Sequence, residues 1–177
     1  MLWTDVVTDR LLALPPTCGT VRVLAIDGGA AAGKSTLAAD IARTLADSVV
    51  VHTDDLLDGW DDQFGFWDRL RTQVLDPLAQ GRTADVPQYD WHRQTFADPR
   101  PLPVPRVLIV EGVSAIQACG GRLTLGVLLQ VDRLDRQRRW SDRDGALGPA
   151  ELRWLDREQD YFAAPIDTSA PVLALRG

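Results

Sequence analysis

Residues Gly28-Gly29-Ala30-Ala31-Ala32-Gly33-Lys34-Ser35 fit the pattern G-x-x-x-x-G-K-[ST]. Glycines and alanines let a backbone wrap close to phosphate oxygens, and successive N–H groups then face the anion. Lys34 would reach the outer phosphates of a nucleoside triphosphate, and Ser35 would offer its hydroxyl to Mg2+. ATP and Mg2+ are therefore the expected cofactors. The expected nucleotide-binding residues are Gly28, Gly29, Ala30, Ala31, Ala32, Gly33, Lys34, Ser35 and Thr36. Composition singles out the lysine, because the 19 basic residues are 18 arginines and Lys34 alone. A compact ammonium on a flexible stem suits a tight loop, where a planar guanidinium is too wide.

Three further groups could do chemistry. Asp54 and Asp55 follow the apolar run Val49–Val51, and a carboxylate beside the γ-phosphate could take the proton of an acceptor hydroxyl. Glu111 follows Val107–Val110 and precedes Gly112, a place from which a carboxylate can hold metal directly or through water. Arg136, Arg139 and Arg143 fall at three- and four-residue steps, so one helix face carries three guanidinium groups able to meet phosphate charge. Each has a plainer alternative: turn-capping aspartates, an acidic strand exit, and a solvated helix pairing its own Asp and Arg. Gly145 and Gly148 would let residues 133–148 hinge as a lid. Pro87–Arg93 mixes flat rings with polar groups, which suits either a ring-binding loop or a loop packed on its own aromatics. Trp60, Phe64, Phe66 and Trp67 could line the same pocket, or belong to the core.

The elements that must position these residues alternate. Apolar runs at 21–26, 49–51, 107–110, 123–131 and 171–175 read as strands. Helical spacing predicts helices over 3–14, 35–47, 66–80, 135–142 and 150–162, while residues 83–105, with five prolines, read as irregular. Alternating strand and helix means parallel strands, right-handed crossovers and helices on both faces. Ligands then bind beyond the carboxyl ends of the strands, where each motif falls.

The bulk numbers narrow the function classes. A length of 177 residues suits one domain, taken as 1–177 with a helical extension over 1–16. The net charge of −6 argues against tracking a nucleic-acid backbone. No apolar run is long enough to span a bilayer and no secretory signal is evident, so a cytoplasmic protein without membrane or nucleic-acid partners is expected. Cys18 and Cys119 are expected to be reduced, and two histidines make a zinc site hard to assemble. A guanine-reading N-K-x-D motif cannot exist where Lys34 is the only lysine.

In order along the chain, these residues resemble the uridine kinase-like branch of the P-loop kinases over residues 21–175. The cradle resembles that family's loop. His52-Thr53-Asp54-Asp55 resembles its second-strand segment, in which the first acidic residue is the catalytic base, here Asp54. Val86-Pro87-Gln88-Tyr89-Asp90-Trp91 is similar to its P-x-Y-D-F nucleoside-binding stretch, and Val110-Glu111-Gly112 to its strand-end E-G. Arg139 and Arg143-Asp144 resemble its lid arginines. The chain departs from the pattern at Ala30 and Ala31, where serine is usual, and in a shortened lid and a short Asp55–Phe66 segment.

The resemblance implies a three-layer α/β P-loop kinase fold with a five-stranded parallel sheet in the order 2-3-1-4-5 and helices on both faces. It implies an ATP-dependent phosphotransferase acting on a small-molecule hydroxyl, a nucleoside or similar. Lys34, Asp54, Arg139 and Arg143 would be catalytic. Asp54, Tyr89, Asp90, Trp91 and His92 would bind the acceptor, and Ser35 and Glu111 the metal. The alternatives are another small P-loop kinase, acting on a nucleotide, sugar acid or cofactor precursor, and a non-catalytic ATP-binding regulatory module. A homo-oligomer is left open.

Overall fold

The computed structural model describes residues 3–176. Five strands form one parallel sheet: β1 (Arg22–Gly28), β2 (Ser48–His52), β5 (Val107–Glu111), β6 (Leu125–Gln130) and β7 (Val172–Arg176). Their order is β2-β5-β1-β6-β7. Counted among the strands of this sheet alone, that is 2-3-1-4-5, as expected. The strands β3 (Ala84–Asp90) and β4 (Thr95–Leu102) pair only with each other.

Alternation along the central strands explains the layers. In β1, Leu24 and Ile26 point to one face and Val23 and Ala25 to the other; in β5, Val107 and Ile109 oppose Leu108 and Val110. The first face is covered by Val7 and Leu11 of α1 (Trp3–Ala13) and by Ala38 and Ile41 of α2 (Lys34–Thr44). Phe66, Leu70, Val74, Leu75 and Leu78 cover the second face. These belong to a helical stretch made of α3 (Trp67–Arg69), a π turn (Leu70–Leu75) and α4 (Asp76–Ala79). Ala115 and Ile116 of α5 (Ala115–Cys119), Trp140 of α6 (Arg133–Asp144) and Trp154 and Leu155 of α7 (Pro149–Ala163) complete it. Among the described residues no helix is long and apolar enough to cross a membrane.

The reading of residues 83–105 as irregular is corrected. Much of this stretch is an antiparallel hairpin, β3 and β4. Its prolines hid the strands, but a two-stranded ribbon has only edges, and edges tolerate proline. Pro87 falls where the register shifts between Val86 and Gln88. The Asp90 carboxylate closes the turn by accepting the N–H groups of His92 and Arg93, both at 3.0 Å.

Parallel register sets where the chemistry meets. Glu111 of β5 lies beside Ile26 of β1 and His52 of β2. The phosphate loop, residues 53–56 and Glu111 therefore leave the sheet at one edge. Gly112 makes the crowding possible: a Cβ there would stand 1.7 Å from the Thr53 hydroxyl, and its φ is 153°. Gly112→Ala should cost about 2–4 kcal/mol, through overpacking in a strained backbone region. Urea denaturation of the two proteins measures it, and an unchanged midpoint would contradict the packing described.

Candidate active site

The cradle begins where β1 ends. Gly28 and Gly33 have φ of 145° and 97°, and Ala31 has φ of 59°, so this short stretch turns back on itself, with the N–H groups of Gly28, Ala30 and Ala32 held by Asp27, Glu158 and the Gly29 carbonyl. Gly29 has a packing reason: a Cβ would stand 2.1 Å from a guanidinium nitrogen of Arg136. No side chain caps the N-terminus of α2, which leaves first-turn N–H groups free for an anion. Lys34, nearly buried, donates Nζ to the Gly29 carbonyl at 2.9 Å. Ser35 and Thr36 are exposed in the first turn of α2.

Asp27 stands just before the cradle and is fully buried. It accepts the N–H groups of Gly28 at 2.7 Å, Ser114 at 2.8 Å and Ile116 at 3.1 Å. Burial pushes its pKa up to about 6, against the pull of those three bonds and of Lys34. Asp27 thus ties the root of the phosphate loop to the exit of β5.

Glu111 collects the polar atoms at that exit. Its Oε1 accepts the Ser35 hydroxyl at 2.9 Å and meets His52 Nδ1 at 2.5 Å. Burial pushes the Glu111 pKa up, but His52, Lys34 and Ser35 outweigh it and hold the carboxyl below its ordinary value. The hydrogen bond to Glu111 raises the His52 pKa. A carboxylate and a hydroxyl within one hydrogen bond are hard oxygen donors of the kind Mg2+ takes, its remaining positions being filled by phosphate and water. Among the described residues no set of three or more His, Cys, Asp or Glu forms a self-sufficient metal cluster.

A cleft of about 310 Å3 opens above these groups, lined by Lys34, Ser35, Asp54 and Glu111 together with Arg143. Asp54 reaches solvent, yet protein surrounds it on most sides of the cleft. Lost hydration raises its pKa, Glu111 and Asp55 add to the rise, and Lys34 opposes it. Among the described residues, none donates a hydrogen bond to its carboxylate. Asp55 is half-buried and does not line the cleft.

The other expected site residues are scattered. Arg143 lines the cleft with its guanidinium forked onto Asp144, at 2.8 and 2.6 Å. Arg139 is exposed and lies outside the lining. Of the aromatic segment, Trp91 faces the cleft and gives its indole N–H to the Asp54 carbonyl at 3.3 Å. Tyr89 is buried against Trp91 and Phe96, Asp90 closes the hairpin turn, and His92 is exposed. Trp60 lines the cleft. Phe66 is in the core, Phe64 stacks on Tyr161, and Trp67 hydrogen-bonds the Ser114 hydroxyl.

Sequence reasoning missed the anchor of the whole arrangement, Glu158 of α7. This fully buried carboxylate accepts the Ala30 N–H at 2.7 Å and the Trp154 indole N–H at 2.7 Å, and it pairs with Arg136 at 2.6 Å. Arg136 also donates to the Ala30 carbonyl at 3.2 Å. One carboxylate therefore joins the phosphate loop, α6 and α7. A signal was present. The 25 acidic residues are 22 aspartates and three glutamates, Glu111, Glu151 and Glu158, and each of the three stands at the cleft or the loop beneath it.

No protein-family model matches the chain. It is 29% identical over 139 residues to a uridine kinase of Halobacterium salinarum, 68% of this chain and 61% of that protein. The chain spans 61% of the length of the curated relatives it matches. Among solved structures it superposes on a possible uridine kinase from Bacillus stearothermophilus, with a TM-score of 0.62, 20% identity and coverage of 96% and 97% of the two chains. It also superposes on a candidate fructose transport system kinase from a Silicibacter species, with a TM-score of 0.68, 18% identity and coverage of 97% and 99%.

Glu158→Ala leaves Arg136 buried without its partner and the Ala30 N–H unsatisfied. The expected loss of stability is about 3–5 kcal/mol, read as a shift in the denaturant midpoint. A change of less than about 1 kcal/mol would show that the pair does not anchor the loop. The chain has the P-loop kinase fold, and its sequence is similar to the uridine kinase-like branch of that fold.

Proposed function

We propose that the protein is an ATP- and Mg2+-dependent kinase that phosphorylates a hydroxyl group of a small molecule. The observation that carries the reading is the convergence of Lys34, Ser35, Glu111 and an unpartnered Asp54 carboxylate on one cleft at the strand ends. A module that only binds nucleotide needs no such carboxylate on the acceptor side.

The residues divide the work. The loop from Gly28 to Gly33 and the first turn of α2 cradle phosphate oxygens. Lys34 must exchange the Gly29 carbonyl for the outer phosphates. Ser35 and Glu111 would hold Mg2+, which supplies charge neutralisation at the β- and γ-phosphates when bound. Asp54 orients the acceptor hydroxyl and takes its proton. The acceptor oxygen forms a bond to the γ-phosphorus, the bond to the β–γ bridging oxygen breaks, and ADP leaves with that electron pair. Arg143 lines the same cleft and, once it released Asp144, would meet the charge that accumulates on equatorial oxygens. Arg136 serves the loop by holding its backbone rather than by touching substrate. Most of the rate gain comes from positioning and fixed charge.

Asp54→Asn tests the base. ATP binding should persist, while phosphoryl transfer should fall by roughly 10²–10⁴-fold. Turnover equal to that of the parent protein would remove Asp54 from the chemistry. The pH profile carries a second expectation. Asp54 works as carboxylate and its pKa is raised, so kcat/KM should fall on acidification beginning at a higher pH than the ordinary value of about 4 implies. An acid limb at or below that ordinary value would contradict the environment described.

A further inference from the structure

The cleft is rich in tryptophan. Four of the six tryptophans face it: Trp60, Trp91, Trp140 and Trp154. Trp60 packs edge-on against Trp91, with centroids 5.4 Å apart, and against Trp154 at 5.8 Å. The indole N–H groups of Trp91 and Trp154 are spent inside the protein, on the Asp54 carbonyl and on Glu158. Where these two rings reach the cleft, they therefore offer apolar, electron-rich surface.

The charged groups of the lining do not balance. Lys34 and Arg143 are positive, whereas Asp54, Glu111, Asp144 and Glu151 are negative. Arg143 pairs with Asp144, and Lys34 acts on both Glu111 and Asp54, so the lining keeps two negative charges in excess. Among the described residues, neither the Asp54 nor the Glu151 carboxylate makes a hydrogen bond or ion pair. Two such carboxylates sharing the cleft with indole rings repel an anionic acceptor and attract a cation, which ring faces bind in their own right. No Asn, Gln, His or Tyr side chain lines the cleft among the described residues. Neutral groups that could read the polar edge of a base are thus scarce.

Resting on the kinase reading, we propose that the acceptor is an organic cation, an alcohol that also carries an ammonium group. The ammonium sits against the tryptophan faces near Glu151, and the hydroxyl faces Asp54. The products are ADP and the phosphate ester of the amino alcohol, with the hydroxyl proton passed to Asp54. Glu151, in the first turn of α7, then gains a charged partner in the cleft.

Two measurements test this, and they separate it from the kinase reading. The first needs no turnover. Tetramethylammonium is titrated into the full chain while tryptophan fluorescence is followed, with tert-butanol as the uncharged control. Saturable quenching by the cation alone, weakened at least about fivefold in Trp60→Leu and in Glu151→Gln, is expected. Equal response to both probes, or a response untouched by both substitutions, overturns the cation site.

The second measures ADP release with matched acceptors: choline against 3,3-dimethylbutan-1-ol, and N-benzylethanolamine against 2-benzyloxyethanol. Each cation should exceed its neutral partner by about tenfold or more in kcat/KM. Glu151→Gln should shrink that ratio. If the neutral alcohols, uridine or glycerate are used as well or better, the cation proposal falls and the kinase stands. If tetramethylammonium binds as expected and no acceptor releases ADP, the cation site stands and the kinase reading fails.

Discussion

The Glu158 carboxylate is the contact on which the arrangement of the site depends. It is fully buried and bonds three groups from three places in the chain: the Ala30 N–H, the Trp154 indole and the Arg136 guanidinium. Burying a charge is costly unless pairing and hydrogen bonds satisfy it. Here the pairing succeeds only when α6, α7 and the phosphate loop are in place together. The chemistry of the loop is therefore coupled to two helices that follow it by a hundred residues and more. Gly29 belongs to the same constraint, because its missing side chain makes the room that Arg136 fills.

A second constraint comes from the sheet. Inserting β5 between β1 and β2 places Glu111 within reach of both the Ser35 hydroxyl and the His52 ring. Asp27 adds a fixed link one strand away by accepting N–H groups from the loop beyond Glu111. Ser35, Glu111 and Asp54 thus meet at the carboxyl ends of the strands, and tryptophans line the cleft above them. Precision of this kind comes from strands and buried carboxylates rather than from loops, since bonded and packed groups have nowhere else to go.

How legible was this in the residues? The cradle was legible, because its pattern requires particular residue types at fixed spacing and carries its own local geometry. Five parallel strands were legible from apolar runs set between helical periods. Residues 84–102 were not, because proline normally argues against a strand and the special tolerance of a free ribbon is a property of pairing. The arginines of α6 show a different limit. Helical spacing placed Arg136, Arg139 and Arg143 near one face, yet one is buried on Glu158, one is exposed and one lines the cleft. Periodicity gives a face, whereas burial depends on what packs against it.

By itself, the sequence determined the phosphate loop, the alternation that makes the sheet parallel, and the acidic residues that end two of its strands. These follow from short-range chemistry: the backbone freedom of glycine, the lone lysine, and apolar runs that must be buried. Tertiary structure alone decided which acidic and aromatic residues share the cleft. Glu151, Trp140 and Trp154 enter it from helices far along the chain, and Glu158 braces the phosphate loop beneath it. No local spacing connects them to Lys34, and only packing across the second face of the sheet brings them there.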